Sequence, residues 1–345
     1  MKTRKLLAIV ASIGVIIGFI LLMRAGTLPV VPAKEVLAKV PVWVPIAYGF
    51  VWLLVLFLRS IRWYWLLAPI HPIEMRRILT ISFIGYGALL LLPFRMGEFV
   101  RPALVHEKGK ISGWAATGSV GAERVLDGLF LSALLFISLR IAKPIDPLPQ
   151  RIGGFDIPAS VVPTAAYGAL TLFTAVFIAM GVFYWRRTWA RQATETVVGV
   201  VSKSLAKWLA DRVEHVADGL RFLPNARYTG PFLAITALYW AVNAAGICML
   251  CNGLGLSITF FQACVVMGVL ALGILVPNAP GFFGSFQISV YAGLAMYTPP
   301  DEVIVTGSAA VFWLYVIQIG VTFAACAAAL LIERISPAEA LASAE

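Results

Sequence analysis

Nine long apolar stretches divide this chain, at roughly 6–23, 42–58, 78–93, 114–139, 161–185, 230–250, 258–276, 281–297 and 303–332. Many of them approach or exceed the roughly 20 residues that cross a bilayer. In lipid, every backbone N–H and C=O must be satisfied within the protein, so only helices and closed barrels span. A transmembrane barrel would show alternating segments of about ten residues, and none occur. Of the 345 residues, 60% are hydrophobic and only 13% charged. The expected fold is therefore all-α: a polytopic transmembrane helix bundle of about seven to eight spans, plus one or two re-entrant segments broken by proline and glycine. The whole chain, 1–345, reads as a single integral membrane domain.

The net charge of +10 would suggest nucleic acid in a soluble protein. Here the Lys and Arg residues flank apolar spans, where they set orientation, and no aromatic-basic interleaving lies on a polar surface. Nucleic-acid binding is excluded. The start, MKTRKLLAIVASIGVIIGFILLMRAG, resembles a signal peptide. Its apolar core, Leu6 to Met23, is long, and no small-x-small cleavage site follows, so a retained signal anchor is expected.

Lys2, Arg4 and Lys5 place the N-terminus on the cytoplasmic side. The loop with Arg59, Arg62, Arg76 and Arg77 against Glu74 alone, and the basic stretch 186–229, are cytoplasmic by the same rule. The segment 78–93 then leaves and returns on one side. It reads as a re-entrant hairpin turning at Gly85-Tyr86-Gly87 or at Pro93. Residues 190–222 carry apolar side chains at helical spacing, Val197, Val201, Leu205, Trp208, Leu209, Val213, Val216 and Leu220 among them. This is an amphipathic helix on the cytoplasmic side, lying at the interface or packed on the bundle.

Three groups carry the chemistry. In LLLLPFRMGEFVRPAL, Pro93 interrupts a helix, Gly97 permits close approach, and Arg95, Glu98 and Arg101 follow within seven residues. In SVGAERVLDGLFL, Glu123, Arg124 and Asp127 share a helix, and Glu123 sits nine residues beyond Trp114, roughly 13 Å along it. Ionisable groups at such depth face a protein interior or a wet cavity. The six groups balance, three positive and three negative, so they can stand as a self-neutral network or exchange partners with an anionic head group, which arginine holds bidentately. A structural ion-pair cluster pinning the Arg95 loop is the alternative. The third group, LVPNAPGFFGSF, contains Pro277, Asn278, Pro280, Gly281 and Gly284. Its likeness to the Pro93–Gly97 break suggests paired interrupted segments around a transporter site, while a plain proline kink is the simpler account.

The sequence P-x-R-x-G-E-x-x-R, then E-R-x-x-D some twenty residues on, then a late P-G-x-x-G, resembles the lysylphosphatidylglycerol synthase transmembrane, or flippase-like, family over about 40–335. The resemblance implies a bacterial or archaeal inner-membrane protein related to the flippase half of MprF-type proteins. That half is associated with moving aminoacylated phosphatidylglycerol between leaflets, and relatives are linked to hopanoid transport and glycolipid assembly. Pro93, Arg95, Gly97, Glu98, Arg101, Glu123, Arg124, Asp127, Pro280, Gly281 and Gly284 carry the match. Two departures stand out: Gln287 occupies a position often acidic in the family, and the final helix offers apolar residues around Trp313 where many members have arginine. The reading leaves no stretch for the soluble aminoacyl-transferase domain of the fused proteins.

The expected function is a flippase-like transporter that binds or moves an anionic or zwitterionic lipid head group, with membrane lipid as its partner, no cofactor and no metal. A partner enzyme of lipid or glycolipid synthesis fits the same reading. Two alternatives are a membrane-embedded transferase and a non-catalytic lipid-presenting subunit. The sequence lacks a D-x-D and a His cluster, which weighs against the transferase. Cys248 and Cys251 form a C-x-x-C inside an apolar helix, with no second pair, and read as packing residues.

Overall fold

The computed structural model describes residues 28–186, apart from 108, 109, 153 and 157–160, and residues 216–334, apart from 276–278, together with 17, 21, 188, 192, 195, 196 and 202. The expected signal anchor at 6–23, most of the amphipathic helix at 190–222, and Pro277 and Asn278 lie outside the described residues.

The helices in chain order are α1 (Lys34–Ala38), α2 (Trp43–Leu67), α3 (Met75–Leu91), α4 (Val100–Val105), α5 (Gly113–Ile141), α6 (Val161–Trp185), α7 (Ala226–Gly253), α8 (Phe260–Gly273), α9 (Ser285–Ala295) and α10 (Pro300–Glu333). A two-residue antiparallel ladder, Arg151–Ile152 against Phe155–Asp156, sits in the α5–α6 connection. The result is a helical membrane bundle, without support for the count of seven to eight spans. Among the described residues, four helices are both long and apolar enough to cross a membrane: α2, α6, α7 and α10. Helix α5 is long but carries Glu123, Arg124 and Asp127 in its middle. Helices α8 and α9 have 14 and 11 residues, about 21 and 16 Å, against a hydrocarbon thickness of about 30 Å.

Helix α3 runs unbroken through Gly85-Tyr86-Gly87 to Leu91, so the chain does not turn at those glycines. It turns at Pro93, the first residue of a 3-10 segment, Pro93–Phe99. A proline there forfeits only an N–H that a helix start leaves unpaired. The segment folds back on α3 so closely that a Cβ on Gly97 would lie 2.2 Å from the Leu89 backbone nitrogen. Gly85 serves the same hairpin in another way: its missing side chain is the seat of Arg101, whose Cγ would be 2.3 Å from a Cβ there. Gly87 makes room for Cys326 on α10.

The second hairpin pairs α8 with α9. Thr259 and Gln262 start α8 with a reciprocal cap, each side chain accepting from the other's backbone N–H. A second 3-10 turn, Pro280–Phe282, follows, with Gly281 at φ 68° and Gly284 at φ 89°, the left-handed region that glycine enters without strain. The Gly284 N–H then donates to the Gln287 side chain at 2.7 Å, which opens α9. Gly293 lets α9 close on α8, since its Cβ would be 2.9 Å from the Val266 Cα. Small residues at such contacts let apolar helices touch without a hydrophobic drive between them.

Helix α2 pairs with α7, where Gly246 lies against Val51 and Tyr48. Helix α6 leans on α5 through Phe173, whose ring fills the space beside Gly128. The described end of the 190–222 segment, residues 216–222, packs on α5: the Val216 carbonyl approaches Gly118, and Ala217, Leu220 and Phe222 are buried.

Candidate functional site

The centre of the bundle is a charge cluster on α5. Glu123 and Asp127 stand one turn apart on one helix face, both buried. Arg62 of α2, with no accessible surface, reaches both. Its Nη2 donates to Glu123 Oε1 at 2.8 Å and to Asp127 Oδ2 at 2.6 Å, and its Nη1 donates to Asp127 Oδ1. Tyr239 of α7 donates to Asp127 at 3.1 Å, and Thr236 accepts from Arg62 at 3.2 Å. The Arg62 guanidinium also lies over the Tyr239 ring at 4.5 Å. Trp63, the next residue, donates to Ser119 at 3.1 Å, tying α2 to α5 at the same level.

Glu123 is the hub. Beside Arg62 it takes Arg101 Nη1 on Oε2 at 2.9 Å and Arg124 Nη2 on Oε1 at 2.5 Å. Arg124 also reaches Asp127 at 3.4 Å. Arg101 is buried with its guanidinium over the Trp63 ring at 4.1 Å. Buried ions are tolerable only when paired and hydrogen-bonded in this way; removing one partner would strand the rest.

Arg95 and Glu98 form a second, half-exposed pair at 2.8 Å. Arg95 sits at φ 59°, a left-handed conformation costing a non-glycine residue about 1–2 kcal/mol. From there its Nη1 donates to the Ile274 carbonyl at the end of α8 at 3.3 Å, and its guanidinium stands 5.9 Å from the Phe282 ring. Cations suit the C-terminal end of a helix, where carbonyls lack partners. Arg95 thus bridges the two proline-broken hairpins.

A cavity of about 350 Å³ opens between these elements. One end is charged, lined by Arg59, Arg95, Glu98, Arg124 and Asp127. The rest is largely apolar, with Leu131, Leu135, Phe173, Ile247 and Met267 among its walls. Four of its lining residues hold a buried polar atom without a hydrogen-bond partner: the Arg59 and Arg124 Nε, the Trp240 Nε1 and the Asn243 Oδ1.

All six charged residues singled out in the sequence converge here. Arg95, Glu98, Arg124 and Asp127 line the cavity; Arg101 and Glu123 stand behind it. Of the break residues, Pro93 and Gly97 shape the first hairpin, while Pro280, Gly281 and Gly284 shape the turn before α9. The self-neutral count does not hold. Arg59 and Arg62 lie inside α2, which extends to Leu67 rather than ending near residue 58. Five arginines therefore face three carboxylates, leaving a surplus of two positive charges. The signal was available: Val55, Arg59, Arg62 and Leu66 recur at helical spacing on one face. The positive-inside reading of Arg62 as a loop residue hid it.

Gln287 is 2% exposed and is committed to the Gly284 N–H, so its amide fills a capping role. In the final helix, Gln318 lines the cavity and donates to Tyr48 at 2.8 Å. All four cysteines are free, and Cys251, Cys264 and Cys326 are buried.

The chain is 25% identical over 262 residues to a protein named glycosyltransferase AglD from Haloferax volcanii, a match covering 70% of this chain and 41% of that protein. The chain thus spans well under half the length of that relative. No solved structure matches this chain. The family described as the lysylphosphatidylglycerol synthase TM region matches residues 9–322, and the chain belongs to that family.

Proposed function

We propose that this protein is a flippase-like lipid transporter of the cell's inner membrane, binding the head group of an anionic or zwitterionic lipid at the charged end of the cavity. The observation that carries the reading is the two-ended cavity, which matches an amphiphile: arginines at one end, an apolar body at the other. The surplus of two positive charges gives an incoming anion an uncompensated partner. In this reading Arg95 and Arg124 contact the head group, with Arg59 beside them. Asp127 and Glu98 hold those arginines or meet a cationic portion of the head group, while Glu123 and Arg101 position the rest. Both short-helix hairpins re-enter the membrane from one side, as expected of interrupted segments around a transport site, and the N-terminus is cytoplasmic.

Lipid translocation in reconstituted vesicles tests this. Wild-type protein is expected to move a head-group-labelled phospholipid between leaflets, and Arg95→Ala and Arg59→Ala to slow it at least tenfold while keeping the wild-type thermal midpoint. Wild-type rates in both folded variants would remove the site assignment.

A second reading has one observation in its favour. The relative that matches is named a glycosyltransferase, and the matched part is less than half of it. A membrane domain of this kind could present a lipid to a transferase of lipid or glycolipid synthesis. A stoichiometric enzyme co-purifying with the protein in mild detergent, together with no translocation by the protein alone, would favour it.

A further inference from the structure

Behind the charged end of the cavity lies a smaller crevice of about 10 Å³, room for roughly one water-sized atom. Its walls include Arg59, Tyr86, Glu98, Arg101, Val120 and Arg124. Arg59, Glu98 and Arg124 also line the main cavity, so the crevice continues it inward.

Its chemistry is lopsided. The Arg59 Nε, Arg101 Nε and Nη2, Arg124 Nε and Tyr86 Oη are all buried and all lack a hydrogen-bond partner. Arg101 is 3% exposed and Tyr86 4%. Guanidinium nitrogens can only donate, and a tyrosine hydroxyl donates readily. Buried donors left unpaired are costly, yet here several belong to the residues that wall one atom-sized space. The aromatic ring of Tyr86 holds the arrangement together, with the Arg59 guanidinium 4.6 Å and the Arg101 guanidinium 5.5 Å from its centroid. Glu98 contributes the sole carboxylate of the walls, and its Oε1 is engaged by Arg95.

Resting on the lipid-binding reading above, we propose that this crevice is an oxyanion subsite: it receives one non-bridging oxygen of a phosphate seated at the charged end of the main cavity. Three arginines and a hydroxyl suit such an oxygen, because hydrogen bonds to a charged acceptor are the strong ones. The space admits one atom and nothing attached beyond it. The subsite therefore reads the phosphate, while whatever the phosphate carries stays in the larger cavity. Phospholipids with different head groups are accepted alike, and a lipid without phosphate is not.

Native mass spectrometry of the full chain in detergent, with phosphatidylglycerol, phosphatidylethanolamine or diacylglycerol added, tests this. The two phospholipids are expected to bind within about threefold of each other and diacylglycerol at least tenfold more weakly. Tyr86→Phe keeps the ring and its stacking and removes only the hydroxyl; it is expected to weaken both phospholipids about tenfold and leave diacylglycerol unchanged. Val120→Ile fills the crevice without touching a polar group and is expected to do the same. Inorganic phosphate separates the sources. If it raises the thermal midpoint of wild type but not of Tyr86→Phe, the subsite takes a free oxyanion; if it does not while the phospholipid selectivity holds, the site serves lipid phosphate. Phospholipid binding undiminished in both folded variants overturns the subsite and leaves the lipid-binding reading standing. Equal binding of diacylglycerol and phospholipid by wild type overturns both.

Discussion

The two proline-broken hairpins share a plan and differ in what holds them. In each, a short helix ends, a 3-10 turn containing proline and glycine reverses the chain, and a second short helix returns. The first hairpin is held by charge. Arg101 leaves it for the buried Glu123, and Arg95 and Glu98 pair on its turn. The second has no charged residue between Phe260 and Ala295 and is held by contact, with Gly293 against Val266 and Gly268 against Leu135. Charge pairing fixes position through long, directional groups that can exchange partners. Glycine packing fixes it through backbone surfaces that cannot. The hairpin with exchangeable attachments is also the one that supplies Arg95 and Glu98 to the cavity.

This contrast is open to breakage, and the largest effect should come at its hub. Glu123→Ala leaves Arg62, Arg101 and Arg124 buried around a missing carboxylate. It is expected to destabilise the protein by about 3–5 kcal/mol, read as a large drop in thermal midpoint in detergent. A midpoint near wild type would mean the cluster does not anchor the first hairpin. Next come the glycines. Gly97→Ala drives a methyl into the backbone at Ala88 and Leu89, and Gly293→Ala into Val266. Each is expected to cost about 1–3 kcal/mol. Gly97→Ala should also slow lipid translocation, because it displaces Arg95 and Glu98. If Gly293→Ala slows translocation equally at equal stability, the functional distinction between the hairpins fails. The smallest effect sits at the cap of α9: Gln287→Ala removes one backbone partner, for about 1 kcal/mol, and a midpoint unchanged from wild type would show that the cap does not hold the second hairpin.

Much of this was legible in the sequence. Charges set against apolar runs are costly, so Arg95, Glu98, Arg101, Glu123, Arg124 and Asp127 had to find partners, and they find one another. The break at Pro93 was legible because proline cannot continue a helix. Arg62 was not. Flanking a span and lying inside a helix produce the same local sequence, and only the carboxylates of α5, some 60 residues away, distinguish them. The span count was less legible, for a related reason: hydropathy registers how apolar a run is, not how long its helix becomes, and the runs at 258–276 and 281–297 fold as helices of 14 and 11 residues. The glycines of Gly85-Tyr86-Gly87 suggested a turn; what they supply is space for Arg101 and Cys326, which depends on partners distant in the chain.

The surplus of arginine over carboxylate is also an electrical property. An elementary charge that crosses a membrane potential of 100 mV exchanges about 2.3 kcal/mol with the field. An empty site of net charge +2 and one holding a monoanion at +1 couple differently to that field. A step that carried the cluster through part of the membrane in only one of those states would therefore be coupled to the membrane potential.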